Sequence, residues 1–292
     1  MWLVLLYGVF KGLREIVKKK ALEKNSTIEV LFLYTLIAFL FVLPDAKNAM
    51  GLEPKYYFYI AIKSFIIFLA WMFSFKAIKR MPISLYGVLD LSRVLFATTL
   101  GVFVLQEVLG VYQVIGLVLV SIGLLMLKYK PKALAKQLTD GSENVEMKYV
   151  IMAFASCLLN AFSGLMDKLL MKDINSSQLQ FWYMLFLVLM YLAFILVTKT
   201  PVKMGGLLKN YWIWILSILF VIADRALFIA NGMEGSRITV MTLIKQSGCI
   251  VTILAGRFIF HEKNTGYKFL CAAVIIAESN DVMTRDLYIG RL

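Results

Sequence analysis

The sequence predicts an all-α integral membrane protein, with ten transmembrane helices forming two inverted five-helix repeats around a central cavity. Three observations carry this expectation. The 292-residue chain is 61% hydrophobic with a mean hydropathy of +0.79, whereas soluble domains are about 45–50% apolar. Its apolar residues gather into ten runs of spanning length, roughly 20 residues each. Two blocks of the chain also repeat at a spacing of 155 residues. Only helices or closed barrels satisfy backbone hydrogen bonds within lipid, and these runs are too long and too continuously apolar for barrel strands.

The ten runs fall at 2–19, 28–44, 56–78, 83–105, 109–127, 148–171, 177–198, 207–231, 236–259 and 265–280. The first follows no positive leader and precedes no small-residue cleavage site, so it reads as a retained helix. Prolines punctuate the connections: Pro44 and Pro54 flank the second, Pro82 precedes the fourth segment, and Pro131 and Pro201 sit between later ones. The stretch 128–148 is polar and basic but too short to bury a core. The expected organisation is therefore a first repeat at 1–127, a basic linker at 128–147 and a second repeat at 148–292. The tenth segment is weak, with nine apolar residues, 269–277, before Glu278, Asn280 and Asp281.

The charge pattern orients the chain. One set of alternate connections holds 16 Lys and Arg residues, beginning with Lys18, Lys19, Lys20 and Lys24, and the other holds 6. The positive-inside rule places the first set in the cytoplasm and both termini outside. The net charge of +13 then serves topology and anionic lipid headgroups rather than nucleic acid. Cys157, Cys249 and Cys271 all fall in apolar runs without metal-ligand spacing, so no metal or cofactor is expected.

The repeat rests on specific residues. At a shift of 155, Gly101 meets Gly256, Phe103 meets Phe258, Glu107 meets Glu262 and Tyr112 meets Tyr267; near 152, Glu15 meets Asp167 and Lys20 meets Lys172. Five spans per half force opposite orientations on the halves, as in the inverted repeats of secondary transporters.

Glu107, Gln113, Gly116 and Gly123, following an apolar segment, resemble the EamA-type signature of the drug/metabolite transporter superfamily. So does the layout of nearly the whole chain. The resemblance implies a cavity lined mainly by the first, third and fourth segments and their second-half partners. It implies solute movement by alternating access, driven by gradients, in a multi-pass plasma (inner) membrane protein rather than an enzyme. The second half departs from the signature, with Lys268, Cys271 and Glu278 at the later positions. Both segments that would carry a family proline lack one. Family members commonly keep both termini in the cytoplasm, against the charge count.

Ionisable residues inside spans are costly, about 2.5–3.5 kcal/mol each at a helix centre, and therefore face an interior. In the first segment Lys11, Arg14, Glu15 and Lys18 form one helical face, continuing through Tyr7. Two readings stand: an early exit from the membrane, with Glu15 paired to Arg14 or Lys11, or a face turned into the cavity. Lys18 is expected to snorkel into cytoplasmic water. Ser156, Asn160, Ser163 and Asp167 make a polar face in the sixth segment. Asp90 and Arg93, spaced i, i+3, can pair, and Lys245 is the repeat counterpart of Asp90 and could meet it across the cavity. Asp224 and the adjacent Arg225 must diverge, one lining the cavity and the other snorkelling. Lys63 and Trp71 share a face. The candidate solute contacts are Tyr7, Lys11, Arg14, Glu15, Trp71, Asp90, Arg93, Asn160, Asp167, Asp224 and Lys245.

Glu107 and Glu262 sit at segment ends and read as caps, and His261 as solvated. Walker, dinucleotide, metal and serine-elbow motifs do not occur in the sequence. The solute is expected to be small and polar or amphipathic, with mixed interior charge favouring anions or zwitterions over lipophilic cations. Proton coupling through Asp90, Asp167 or Glu15 follows from the presence of carboxyls at depth. A lipid or lipid-linked-sugar flippase is the alternative, and an intramembrane enzyme is less supported; monomer and dimer both stay open. The orientation has a direct check: an epitope at the C-terminus should be reached by antibody only from the outer face, and cytoplasmic exposure overturns the charge-based topology.

Overall fold

The computed structural model describes residues 2–109, 145–202, 204–233 and 248–262, with scattered positions from 111 to 122 and residue 266. Among the described residues eleven α-helices have defined bounds, a 3-10 turn spans Leu43–Asp45, and no strand forms. The helices are α1 (Trp2–Leu22), α2 (Thr27–Val42), α3 (Ala46–Ala49), α4 (Pro54–Arg80), α5 (Ile83–Asp90), α6 (Ser92–Leu105), α7 (Met147–Leu170), α8 (Ser176–Thr198), α9 (Met204–Leu208), α10 (Tyr211–Gly232) and α11 (Gly248–Phe258). Six helical stretches are long and apolar enough to span a membrane, and α11 is a shorter apolar helix. The expected fifth and tenth spans, Cys271 and Lys245 lie wholly or largely outside the described residues.

Local sequence accounts for the helix ends. Ser26 and Glu29 form a capping box that starts α2, and Asn175 and Gln178 form another at α8. Pro54 opens α4, where its missing N–H costs nothing. Asn210 caps α10 through the Trp212 N–H. Two helix ends repeat each other at the 155-residue spacing. Gln106 and His261 both adopt a left-handed backbone, with φ of 55° and 51°. The next residue in each case turns its N–H back, Glu107 to Gly101 O at 3.0 Å and Glu262 to Gly256 O at 2.8 Å.

The fourth expected span is two helices. α5 stops at Asp90 and α6 resumes at Ser92; at the joint the Leu91 N–H bonds Val88 O at 3.1 Å, a tighter turn than the α-helix makes. No proline is needed to produce it.

The basic helix ends gather at one end of the bundle. Lys19 bonds Met81 O at 2.9 Å, Lys79 bonds Asn25 O at 2.6 Å and Asn210 bonds Ala21 O at 3.3 Å. The other end is tied by Trp182 to Ala49 O at 2.9 Å and by Arg225 to Asp45. Between them, large apolar side chains such as Phe58, Phe103, Leu196 and Val197 point outward, as lipid-facing positions do.

The main helix contacts are α4 with α7, α1 with α10, α6 with α7, α5 and α1 with α11, and α2 and α4 with α8. α1 is thus an inner helix, touching α10 and α11 along its length. That explains how a helix carrying six basic or acidic residues between Lys11 and Lys20 can sit in an apolar bundle.

α11 approaches its neighbours through glycines. A Cβ on Gly12 would lie 2.6 Å from Val251 Cβ and 2.7 Å from Gly248 O, and one on Gly87 would lie 2.2 Å from Thr252 Oγ1. Without a hydrophobic force between helices in lipid, such close backbone approach supplies the packing. Glu262 then fastens α11 to α5. Its carboxylate accepts the Ile83 N–H at 2.5 Å, the Ser84 N–H at 3.1 Å and the Ser84 hydroxyl, and it lies 3.3 Å from Lys19 Nζ. This is a helix cap, as expected, delivered from a distant part of the chain.

Gly12→Ala should lower stability in detergent by about 1–3 kcal/mol through overpacking. Gly164→Ala, where an added Cβ meets nothing within 4 Å, should be neutral or stabilising. Melting curves of the two purified variants check this contrast.

Candidate functional site

The polar side chains of the spans converge on one interior space between α1, α4, α6, α7, α8 and α10. The cavity volume is about 70 Å³, enough for a few water molecules. Of the eleven expected contacts the cavity brings seven together: Tyr7, Arg14, Trp71, Arg93, Asn160, Asp167 and Asp224. Lys11, Glu15 and Asp90 line a smaller neighbouring pocket with Tyr86, Cys249 and Thr252. Lys245 lies outside the described residues.

Four sets of ion pairs organise the site. Lys11 Nζ lies 2.5 Å and Arg93 Nη2 2.7 Å from the Asp90 carboxylate. Arg14 lies 3.3 Å from Asp224, Lys63 lies 3.1 Å from Asp167, and Lys18 lies 2.7 Å from Glu15. All these side chains except Arg93 are buried as residues. The tight turn at Leu91 sits between Asp90 and Arg93, the two charges that α5 and α6 bring in.

Several expectations are corrected. Glu15 pairs with Lys18, not with Arg14 or Lys11, because those two side chains reach across to α10 and α5. Lys18 does not snorkel: it is 6% exposed, bonds both Glu15 oxygens at 2.7 and 2.8 Å and lies 4.6 Å from the Phe75 ring centre. Lys245, expected opposite Asp90, lies outside the described residues; among these Asp90 is met by Lys11 of α1 and Arg93 of α6. Asp224 and Arg225 diverge as expected: Asp224 lines the cavity and Arg225 runs to the bundle end that carries Asp45. Arg225 bonds Gln180 at 2.6 Å, Ser177 at 2.7 Å and Asp45. The early-exit reading of α1 fails, since its charged face meets other helices.

Of the lining residues that were not among the candidates, three bear on the ion pairs. Lys63 is 2% exposed and its ammonium lies 3.7 Å from the Tyr183 ring centre, a cation–π contact. The Tyr183 hydroxyl donates to Asp224 Oδ2 at 2.6 Å. Tyr183 thus touches both the Lys63–Asp167 and the Arg14–Asp224 pair. Phe228 adds an aromatic wall, 5.8 Å from Tyr183 between ring centres. Lys63 carried a signal, its shared face with Trp71; Tyr183 lies in an otherwise apolar segment and carried none.

The apolar side of the cavity is a cluster from α2, α4 and α10. Trp71, Phe220 and Tyr34 sit 5.1–5.4 Å apart between ring centres. Trp71 therefore both packs and lines the cavity. Cys157 and Cys249 are buried thiols, the latter 3.2 Å from Gly87 O.

The EamA-like transporter family matches residues 1–129 and 147–277. The chain belongs to that family. It is accordingly a multi-pass membrane protein of a transporter family, whose partner is a small-molecule solute. Twenty-six solved chains match. One, described only as "Crystal structure of protein", shares 14% identity with a TM-score of 0.68 over 97% of this chain and 98% of its own, a likeness of fold alone. No curated protein matches significantly.

Lys63→Met should strand Asp167 and lower stability by about 3–5 kcal/mol, whereas Lys63→Met with Asp167→Leu should recover most of it. A double-mutant cycle of melting temperatures measures both.

Proposed function

We propose that this EamA family member is a secondary transporter that carries a small polar or amphipathic metabolite across the plasma membrane by alternating access. The observation that carries this reading is the cavity itself: charged and aromatic side chains from both halves of the chain meet around one interior space. Its volume holds a few waters and little more, so a metabolite enters only when the helices move.

The packing supports two repeats of five spans, 1–127 and 148–292, joined by a basic linker at 128–147. Exchange of the halves relates α1 to α7, α4 to α10, α2 to α8, and α5–α6 to α11. Contact of α4 with α7 then becomes contact of α10 with α1, and α6 with α7 becomes α11 with α1, all of which occur. The ion pairs follow: Lys63–Asp167 joins α4 to α7, and Asp224–Arg14 joins α10 to α1, with the signs reversed. The repeated left-handed helix ends at Gln106 and His261 and the two stretches of family match agree with this reading. In this scheme both termini lie outside, and proton movement through Asp90, Asp167 or Glu15 supplies the driving gradient.

Purified protein in liposomes should accumulate a solute from a metabolite mixture, and Asp224→Asn should cut uptake about tenfold or more by releasing Arg14 and Tyr183. Cysteines replacing Ala97, Asn160 or Ala161 should react with a water-soluble thiol reagent, and less so with solute present. Thiols that never react in any state overturn the transport path. Uptake indifferent to an imposed pH gradient removes proton coupling. Movement of labelled lipid in place of soluble solutes favours a flippase.

A further inference from the structure

The site is not balanced in charge or in hydrogen bonding. Among the described residues, five cations surround four carboxylates, since Asp90 serves both Lys11 and Arg93. The remaining donors belong to the two arginines. Arg14 Nε and Arg93 Nε are buried atoms without a hydrogen-bond partner among the described residues. Arg14 is 9% exposed, and its hold on Asp224 is a single long contact of 3.3 Å. Both arginines line the same cavity. A buried guanidinium with an unused N–H is costly to leave without an acceptor.

The carboxylates differ in that each already has a cation beside it. With all four carboxylates so engaged, an incoming ammonium finds no counter-charge that is not already shared. Trp71, Phe220 and Phe228 give the wall an aromatic side. From this geometry we infer that the cavity selects amphipathic organic monoanions: a carboxylate set against the Arg14 and Arg93 guanidinium groups, with a compact aromatic or branched apolar body against Trp71 and Phe220. Guanidinium suits this task because its fork of N–H donors matches the two oxygens of a carboxylate. The inference rests on reading the cavity as the solute site, and it narrows the solute to one class. A zwitterion brings the same carboxylate but must also strip water from an ammonium without gaining a counter-charge.

Three probes of one shape and different charge separate the possibilities: phenylacetate, phenylalanine and phenethylamine. Binding to purified protein is read by quenching of tryptophan fluorescence, with Trp71 in the cavity wall, and by thermal shift. Phenylacetate should bind most tightly, phenylalanine about tenfold or more weakly, and phenethylamine least. Arg93→Gln should weaken phenylacetate about tenfold, the loss of one charge-assisted hydrogen bond, and leave phenethylamine nearly unchanged. Arg93→Lys, which keeps the charge, should recover part of the affinity and controls for folding. Equal binding of the three, tighter binding of phenylalanine or phenethylamine, no binding of phenylacetate at millimolar concentration, or indifference of phenylacetate to Arg93→Gln overturns the inference. The transport reading fails separately: phenylacetate that binds but is never moved into liposomes leaves the site and removes the transporter. Uptake of some other solute without phenylacetate binding does the reverse.

Discussion

Compensation of buried charge is the constraint on which the rest of this structure depends. Lys11, Arg14, Glu15 and Lys18 occupy successive turns of one helix, too deep for all of them to reach water. An isolated charge in such surroundings costs several kcal/mol, and removal of one partner from a buried pair costs about 3–5 kcal/mol. The bundle resolves this by making α1 an inner helix. Asp90 comes from α5, Asp224 from α10 and Glu15 from α1 itself, and the neighbouring helices must stand where these carboxylates can reach. Lys63 of α4 and Asp167 of α7 repeat the arrangement on the other side of the cavity.

Such pairs are directional only if the helices carrying them are held in register. Small residues do this between α1, α5 and α11, where Gly12, Gly87 and Gly248 leave no room for a side chain. Glu262 does it at the basic end, by capping α5 from beyond α11 while meeting Lys19 of α1. Polar contacts in membrane bundles are individually modest, so the geometry comes from many of them acting together with close packing. Tyr183 has a particular place here, since one ring touches Lys63 and its hydroxyl holds Asp224. A shift of α8 therefore alters two ion pairs on opposite sides of the cavity at once. In the proposed cycle, those pairs are what a solute would loosen or exchange.

Much of the site was legible residue by residue. Charges at span depth pointed inward, the i, i+3 spacing of Asp90 and Arg93 gave their pair, and the polar face Asn160–Ser163–Asp167 lines the cavity as its period required. The failures share a cause. Glu15 was assigned to Arg14 or Lys11 because proximity along one helix was all that could be seen, yet both of those cations had partners 79 and 210 residues away. Lys18 looked solvated because it lies near a helix end; the end is roofed by other helices. Tyr183 gave no sign, because a tyrosine in an apolar run fits lipid, core and cavity alike.

The sequence alone determined the membrane class, the positions of most spans, their termini and the set of groups too polar to face lipid, because each of these depends on local composition and period. Caps obey the same logic: Ser26 with Glu29 and Asn175 with Gln178 act within four residues. The partner of each buried charge was decided only by the tertiary structure. Any of five cations could satisfy any of four carboxylates electrostatically, and the choice falls to helix positions set by glycine contacts and the joint at Leu91. Coulomb attraction fixes that the pairs must form; packing alone decides which.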